Sequence, residues 1–309
     1  HTGLGRAPLS KKLVLDALGN ILPYSNLELD LISGKRGERN SHISSLLNSL
    51  TGSEAAIVVN NNAAAVLLML NTLAEGKEVI ISRGEQVEIG GSFRIPDVIR
   101  KSGCKMIEVG TTNKTRIKDY KDAITDKTGA ILVAHTSNYK VIGFTESVQL
   151  DDLCSLSKKK KIPLILDLGS GAIADFNKIG LPYEKSVKNY IKSGAHVLSF
   201  SGDKLFGGIQ AGIICGKKTY VNKIQKNPLY RALRSDKLTF AILEATLKTY
   251  QSTSIIRKEN LALFLFNRCQ DDLISIGEKI LSNLSKKNIS KYKIILQKTE
   301  VEAGMALYH

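Results

Sequence analysis

A lysine and an aspartate, each at the end of an apolar segment, are the residues best suited to chemistry in this chain. Lys204 follows the apolar residues 195–200 within the sequence SGDKLFGG, and Asp167 closes the apolar segment 164–166. If both segments are buried strands, the two side chains lie at the carboxyl ends, where open α/β sheets bind ligands. A lysine that forms a Schiff base and an acid that keeps a pyridine nitrogen protonated are what pyridoxal phosphate requires.

Each of the two residues also has a simpler explanation. Asp167 could be a metal ligand or a satisfied polar residue at a strand end, and Lys204 could be a surface lysine. The glycines at 202, 207 and 208 would let a ligand approach the backbone closely. Their presence, together with the order and spacing of the lysine and the acid, favours the cofactor hypothesis.

Polar residues after two apolar segments are predicted to hold the cofactor phosphate. Asn61 and Asn62 follow the apolar segment 55–59 and precede a predicted helix, whose free N–H groups would attract a phosphate. The alternative for these asparagines is an ordinary helix N-cap. Ser201, three residues before Lys204, is expected to turn its hydroxyl towards the same phosphate. The glycine motifs of dinucleotide-binding folds and P-loops do not occur in the sequence.

A basic cluster offers a second candidate site. Arg231 and Arg234 are spaced i, i+3, which would place both guanidinium groups on one face if the segment is helical. Guanidinium groups suit the bidentate binding of an oxyanion. A solvated basic helix is the alternative, and Arg6, in a glycine-containing loop, would by itself be a surface charge.

The alternation of apolar segments predicts an α/β fold with a mainly parallel sheet covered on both faces. The short Val- and Ile-rich segments read as strands, and the amphipathic segments between them read as helices. Residues 211–215 are expected to run antiparallel at the sheet edge. The predicted strands are 55–59, 78–81, 106–109, 130–134, 164–166 and 196–200, and the predicted helices include 41–50, 63–73 and 95–101.

The pattern changes after residue 235, which predicts a second domain. Long helices are expected at 236–250 and 261–284, with a lone strand at 292–296. We therefore expect a cofactor-binding large domain at 1–235 and part of a small C-terminal α+β domain at 236–309. Because the chain begins with His1 in the middle of a pattern, we interpret it as a fragment.

Composition fits a soluble protein without a membrane span, since 43% of the residues are apolar and no apolar run approaches the roughly 18 residues that a span needs. The formal net charge of +15 favours a polyanionic partner such as nucleic acid, although a lysine-biased genome would also explain it. The four cysteines are widely spaced, without a zinc-type pattern, which predicts a reducing cytoplasm.

Long motifs in one order resemble the bacterial selenocysteine synthases, the L-seryl-tRNA(Sec) selenium transferases. The resemblance covers about residues 1–250. The motifs are HTGLGRAPLS, SGKRGERNSHI, VVNNNAAAV, SRGEQVEIGGSFRIPDV, VGTTNKT, HTSNYKVIGFTE, DLGSG, SFSGDKLFGG, QAGIICGKK and NPLYRALRSDKLT.

The resemblance implies a fold-type I, aspartate aminotransferase-like enzyme in which Lys204 binds pyridoxal phosphate. Its reaction would convert seryl-tRNA(Sec) to selenocysteinyl-tRNA(Sec) with selenophosphate, through an aminoacrylyl intermediate. Arg6, Arg231 and Arg234, together with Asp203, would surround the selenophosphate anion. Asp203 is expected to assist proton transfer as a catalytic residue.

The resemblance also implies a cytoplasmic homodecamer built from dimers, with Thr111 and Thr112 at a dimer–dimer contact. The family binds its tRNA mainly through an N-terminal domain, which this sequence does not include. Two rival functions remain open. One is a related pyridoxal phosphate-dependent lyase that acts on a small phosphorylated amine or amino sugar, and the other is a non-catalytic tRNA-binding scaffold that has lost its cofactor.

Overall fold

The computed structural model describes residues 6–91, 93–285, 291–298, 301–303 and 306–308. Its centre is a seven-stranded sheet in the order β1-β9-β8-β7-β6-β2-β5, accompanied by two short hairpins, β3–β4 and β10–β11. The strands are β1 (Ala55–Val59), β2 (Glu78–Ser82), β3 (Glu88–Ile89), β4 (Phe93–Arg94), β5 (Lys105–Val109), β6 (Thr128–Ala134), β7 (Leu164–Asp167), β8 (Val197–Ser201), β9 (Gly212–Gly216), β10 (Val301–Ala303) and β11 (Ala306–Tyr308).

Strand direction confirms the predicted mainly parallel sheet. The pairs β2–β5, β2–β6, β6–β7 and β7–β8 are all parallel. Strand β9 is antiparallel to both β8 and β1, so β1 runs in the same direction as the parallel strands. The antiparallel prediction for this strand is confirmed, but its predicted place at the sheet edge is wrong. The short connection from β8 lets β9 pair beside it, and β1 then occupies the edge.

Helices cover both faces because the central strands are buried on both. Every residue of β2, β7, β8 and β9 is buried, as expected for strands between two helical layers. The helices are α1 (Lys11–Gly19), α2 (Ser41–Thr51), α3 (Asn62–Ala74), α4 (Ile95–Lys101), α5 (Ile117–Ala123), α6 (Leu150–Lys160), α7 (Val187–Lys192), α8 (Lys218–Gln225), α9 (Pro228–Leu233), α10 (Lys237–Thr249), α11 (Thr253–Glu259), α12 (Leu261–Phe266) and α13 (Gln270–Ser282).

The two faces of the sheet form two apolar cores. Helix α3 has fully buried residues around most of its circumference, including Leu68 and Met69, and it packs in one core with β2 and β6. The other core joins sheet residues such as Phe200 to Phe240 and Leu247 of α10. Helix α10 therefore packs on the same core as the sheet, although it follows the predicted boundary at residue 235.

The downstream segment departs from two sequence predictions. The single helix expected at 261–284 is two helices, α12 and α13, separated by residues 267–269. Two acidic residues in the first turn of α13, Asp271 and Asp272, favour a new helix start there. Residues 292–296 are not a strand, since no neighbouring described strand pairs with them. Within the described ranges, no helix combines the length and the apolar character that crossing a bilayer requires.

Glu85 places a carboxyl group in the interior just after β2. Its Oε2 atom is enclosed and has no hydrogen-bond partner among the described residues. Burial raises the pKa of Glu85 to about 8. A hydrogen bond from the backbone N–H of Ala134 opposes this rise only in part. The folded protein therefore binds a proton here that the unfolded chain has already lost at neutral pH.

We expect the Glu85→Gln variant to change the pH dependence of stability. Because the folded-state pKa is raised, the stabilising contribution of the neutral acid is present at pH 4 and is lost as the pH rises towards 8. At about 1.4 kcal/mol per pH unit, the wild type should lose roughly 3 kcal/mol relative to the variant between pH 5 and pH 8. Denaturant unfolding at several pH values measures this difference.

The exposed Glu88 of β3 supplies a matched control. Glu88→Gln repeats the same Glu-to-Gln change at an exposed position and controls for the replacement itself. Equal slopes for wild type and Glu85→Gln would show that Glu85 is ionised in the folded protein.

Candidate active site

Four strand ends converge at one edge of the sheet. Strands β1, β6, β7 and β8 run in the same direction, so the residues that follow them meet at this edge. Ala134 of β6 pairs with Asp167 of β7, which in turn pairs with Ser199 of β8. The polar residues predicted after these strands are therefore brought together by strand register.

Asp167 is held in one orientation by two hydrogen bonds to the same oxygen. Asn62 Nδ2 donates to Oδ1 at 2.8 Å, and the backbone N–H of Gly169 donates to it at 3.0 Å. The residue is buried, and every hydrogen bond that described residues make to this carboxylate goes to Oδ1. Oδ2 is thus available to accept a hydrogen bond from a ligand N–H.

Lys204 lies close to the loop that follows Asp167. A Cβ atom added at Gly169 would lie 3.9 Å from Lys204 Nζ and 3.4 Å from Ser137 Oγ. Gly169 has a φ of +63°, a conformation that favours glycine, so both the turn and the space beside the amine depend on it. The Lys204 amine therefore lies beside the turn that follows Asp167, close enough for each of the two groups to affect the pKa of the other.

Desolvation dominates the electrostatics of the pair. Burial lowers the pKa of Lys204, and Arg6 lowers it further, while Asp167 and Asp203 oppose both effects. Burial likewise raises the pKa of Asp167, and this rise is opposed by its two hydrogen bonds and by Lys204. The amine is therefore more easily deprotonated than an ordinary lysine, which is what a nucleophile or a base requires.

His135 and Ser137 were missed as candidate site residues. His135 follows β6 directly, and its backbone N–H donates to the Asp167 carbonyl at 2.8 Å. Burial, with a smaller effect of Lys204, lowers the pKa of His135, so the imidazole is neutral at pH 7. Its Nδ1 atom is enclosed and has no partner among the described residues. A polar residue directly after an apolar strand, the signal used for Asp167, could have identified it.

The residues predicted to bind phosphate have different local roles. Asn61 Oδ1 accepts a hydrogen bond from the backbone N–H of Ala64 at 2.9 Å, which makes Asn61 the N-cap of α3. Asn62 orients Asp167, as described above. The backbone N–H of Ser201 donates to the Gly169 carbonyl at 3.0 Å and ties the β8 end to the Asp167 loop. Their predicted contacts with a phosphate stay predictions.

Arg6 and Asp203 are brought together beside Lys204. Arg6 Nε lies 3.4 Å from Asp203 Oδ2, and the backbone N–H of Ala7 donates to the Asp203 carbonyl at 3.0 Å. Asp203 is buried, and burial raises its pKa against the opposing effect of Arg6. The glycine-containing loop before Arg6, residues 1–5, lies outside the described residues.

Arg231 and Arg234 line a separate cleft of about 170 Å³. The condition for a shared helix face, that the segment is helical, holds for Arg231 but not for Arg234. Helix α9 ends at Leu233, and Arg234 is extended and forms a β-bridge with Val59. Neither Arg6 nor Lys204 is among the described residues that line this cleft. The lining residues are Glu28, Arg36, Gly37, Glu38, Arg39, Asn40, Gln225, Tyr230, Arg231 and Arg234.

Glu28 organises this cleft and was missed from the sequence. Its carboxylate pairs with Arg39 Nε at 2.6 Å, with Arg36 Nη2 at 3.0 Å and with Arg234 Nη1 at 3.5 Å. The hydrogen bond from Arg39 is the largest effect that lowers the pKa of Glu28. Two of the three arginines predicted to bind an anion thus share one cationic cleft, while Arg6 lies at Asp203.

In the part of the chain that the structure describes, no cluster of three or more His, Cys, Asp or Glu side chains could hold a metal ion. Solved structures of low sequence identity share the fold. D-Glucosaminate-6-phosphate ammonia-lyase superposes with a TM-score of 0.64 at 20% identity, covering 81% of this chain and 65% of that one. Thermus thermophilus aspartate aminotransferase with maleate gives 0.58 at 18% identity, covering 90% and 71%. The predicted aspartate aminotransferase-like fold class is confirmed.

Sequence comparisons find relatives of much higher identity than the structural neighbours. The L-seryl-tRNA(Sec) selenium transferase of Alkaliphilus oremlandii is 47% identical over 306 residues, which are 99% of this chain and 63% of that protein. The enzyme of the same name from Carboxydothermus hydrogenoformans is 56% identical over 259 residues, 84% of this chain and 55% of that protein. The chain thus spans less than two thirds of the length of these relatives. The family model for L-seryl-tRNA selenium transferase matches residues 1–306, and the chain belongs to that family.

Proposed function

We propose that this chain binds pyridoxal phosphate through Lys204 and carries the catalytic centre of a selenocysteine synthase. The reaction is the conversion of seryl-tRNA(Sec) to selenocysteinyl-tRNA(Sec) with selenophosphate as the selenium donor. The observation that supports the proposal is the position of the Lys204 amine beside the turn that follows Asp167, in a chain of this family.

The residues at the edge fit the cofactor. Lys204 supplies an amine with a lowered pKa, and Asp167 supplies an oriented, buried carboxylate with one oxygen not engaged by described residues. The N-terminus of α3 begins beside Asn62 and offers backbone N–H groups to a phosphate. Bound pyridoxal phosphate would supply an electron sink for charge that develops at the α-carbon of an attached amino acid.

The protein's own groups would handle the protons. Lys204 would remove the α-proton of the serine, and its lowered pKa lets the amine act as a base at a lower pH than an ordinary lysine. Asp167 would hold a proton on the pyridine nitrogen, while hydrogen bonds from Asn62 and Gly169 keep its carboxylate in one orientation. The buried Asp203, whose raised pKa favours a bound proton, would assist transfer to the departing serine hydroxyl.

The arginines would bind the selenophosphate anion. The cleft of Arg231 and Arg234 contains four guanidinium groups against the carboxylates of Glu28 and Glu38, so it retains positive charge. Arginine is suited to a tetrahedral oxyanion because its planar donors bind two oxygens at once. Arg6, beside Asp203 and Lys204, would contact the anion at the reacting carbon.

Assembly and location are part of the same proposal. Thr111 and Thr112 lie exposed in the loop after β5, the strand at the open edge of the sheet, where another dimer could pack. We propose a cytoplasmic homodecamer built from dimers, with seryl-tRNA(Sec) as its macromolecular partner. The free cysteines Cys104, Cys154, Cys215 and Cys269 fit a reducing compartment.

The reaction itself can be tested with the full-length protein. Incubation with charged seryl-tRNA(Sec) and selenophosphate, followed by analysis of the esterified amino acid, should yield selenocysteine. Recovery of serine alone, with turnover of a small phosphorylated amine by the same preparation, would overturn the proposal in favour of a lyase. Failure to bind pyridoxal phosphate would favour the scaffold hypothesis.

Covalent capture of pyridoxal phosphate should depend on Lys204 and on pH. Because the pKa of Lys204 is lowered, capture should rise with pH and level off below the range of an ordinary lysine. Borohydride reduction followed by peptide mass spectrometry should label Lys204, and Lys204→Ala should lose the label. Lys178→Ala, at an exposed lysine, is the control. Labelling of a different peptide in the wild type would refute this assignment.

Arg234→Gln should weaken selenophosphate use without affecting the cofactor. A charge-assisted hydrogen bond contributes about 1.5–3 kcal/mol, so we expect KM for selenophosphate to rise roughly tenfold or more. The absorbance of bound pyridoxal phosphate should stay unchanged. Arg100→Gln, which removes an exposed arginine of α4, is the matched control. An unchanged KM for Arg234→Gln would remove this cleft from the anion site.

A further inference from the structure

Two residues that follow the sheet in sequence, Tyr250 and Asn260, form hydrogen bonds to the turn that carries Lys204. The hydroxyl of Tyr250, at the end of α10, donates to the Phe206 carbonyl at 2.6 Å. Asn260 Nδ2 donates to the same carbonyl at 3.0 Å. Both side chains are buried, so one backbone oxygen two residues after Lys204 accepts two hydrogen bonds shielded from water.

That carbonyl belongs to a closed turn. The backbone N–H of Gly207 donates to the Lys204 carbonyl at 2.8 Å, and the N–H of Gly208 donates to the Gly202 carbonyl at 2.8 Å. The peptide that joins Phe206 to Gly207 therefore carries both the acceptor for Tyr250 and Asn260 and the donor to Lys204. A shift of this peptide would move the lysine backbone with it.

Side-chain packing fixes the same peptide. The Phe206 ring stacks on Tyr250 with centroids 5.4 Å apart and planes inclined by 6°, and Phe200 meets its edge at 6.4 Å. Gly207 has a φ of +72°, and a Cβ atom there would lie 2.2 Å from Asn260 Oδ1. The turn and Asn260 are thus in direct contact, with no space between them.

Asn260 also begins the next helix. Its Oδ1 accepts a hydrogen bond from the backbone N–H of Leu263 at 3.2 Å, which caps α12. One side chain therefore links the start of α12 to the lysine turn. The helices after the sheet are coupled to the candidate active site through this residue and through Tyr250.

We infer that Tyr250 and Asn260 are positioning residues that set the location of the Lys204 amine through the Phe206 carbonyl. The inference rests on the proposed role of Lys204 in binding pyridoxal phosphate. Neither residue reaches the reacting atoms. They act because the amine lies in a desolvated site between Asp167, Asp203 and Arg6, where a small displacement changes its electrostatic environment.

Two conservative variants separate the hydrogen bonds from the packing. Tyr250→Phe retains the ring that stacks on Phe206 and removes only the hydroxyl. Asn260→Ser retains an oxygen that can cap α12 and removes the amide donor to Phe206. Thr246→Val is the matched control, because it removes another buried hydroxyl of α10, one that bonds the Ile242 carbonyl within the helix.

The measurements use purified full-length protein and pyridoxal phosphate, without tRNA or a selenium donor. Each of the two variants should bind the cofactor more weakly, by up to about fivefold. One buried hydrogen bond sets this limit, because only the part of its free energy that differs between the free and the cofactor-bound protein changes the affinity. The pH midpoint at which the visible band of the bound cofactor titrates should also shift. Thr246→Val should reproduce the wild-type midpoint even if it lowers the melting temperature.

The outcomes distinguish this inference from the proposed function. Absence of cofactor binding by the wild type would overturn both. A wild type that binds the cofactor, together with a Tyr250→Phe variant that has the same affinity and the same midpoint, would overturn only the inference. A variant that loses stability but keeps the wild-type midpoint would likewise show that Tyr250 supports the fold alone.

Discussion

Removal of Lys204 and Asp167 from water at the carboxyl edge of the sheet is the constraint on which the rest of the site depends. Burying a charge costs free energy unless a partner and hydrogen bonds compensate it. Asp167 receives two donors on one oxygen, and Lys204 has two nearby carboxylates opposed by one arginine. The fully buried strands β7 and β8 create the desolvation, so the perturbed pKa values follow from the position of the residues in the sheet.

Loops from distant parts of the chain are tied to one another around this pair. Asn62 after β1 bonds Asp167 after β7, and the N–H of Ser201 in β8 bonds the Gly169 carbonyl. Ala7, near the start of the chain, bonds the Asp203 carbonyl. Because each link joins segments that are far apart in sequence, the site can form only when the sheet has assembled in register.

The sequence predicted the parts of the structure that depend on local pattern. Apolar runs identified the strands, and the polar residues that close two of them identified Asp167 and Lys204. The position of β9 between β1 and β8, the break between α12 and α13 and the extended Arg234 were not predicted. The positions of β9 and Arg234 depend on partners supplied by distant segments, and neither periodicity nor spacing contains that information. The break before α13 has a local signal instead, the acidic residues Asp271 and Asp272 of its first turn.

A long-range contact also explains why Glu28 was not identified as a site residue from the sequence, whereas Asp167 was. Glu28 follows no apolar strand. Arg36 and Arg39 lie near it in sequence, but the cleft forms only when Arg234, from a distant segment, joins them. By contrast, His135 carried the same local signal as Asp167 and could have been identified from it.

The two charged clusters differ in balance, and the difference fits a reaction with two unlike substrates. Around Lys204, two basic groups, Lys204 and Arg6, lie near two acids, Asp167 and Asp203. Because basic and acidic groups are equal in number, a proton can move among them without a change in the net charge of the site. The arginine cleft instead holds four guanidinium groups against two carboxylates. Glu28 there orders the guanidinium groups before any anion arrives, which lowers the entropy lost on binding. A balanced site suits proton transfer at carbon, whereas a preorganised cationic site suits an oxyanion, and the proposed function uses both.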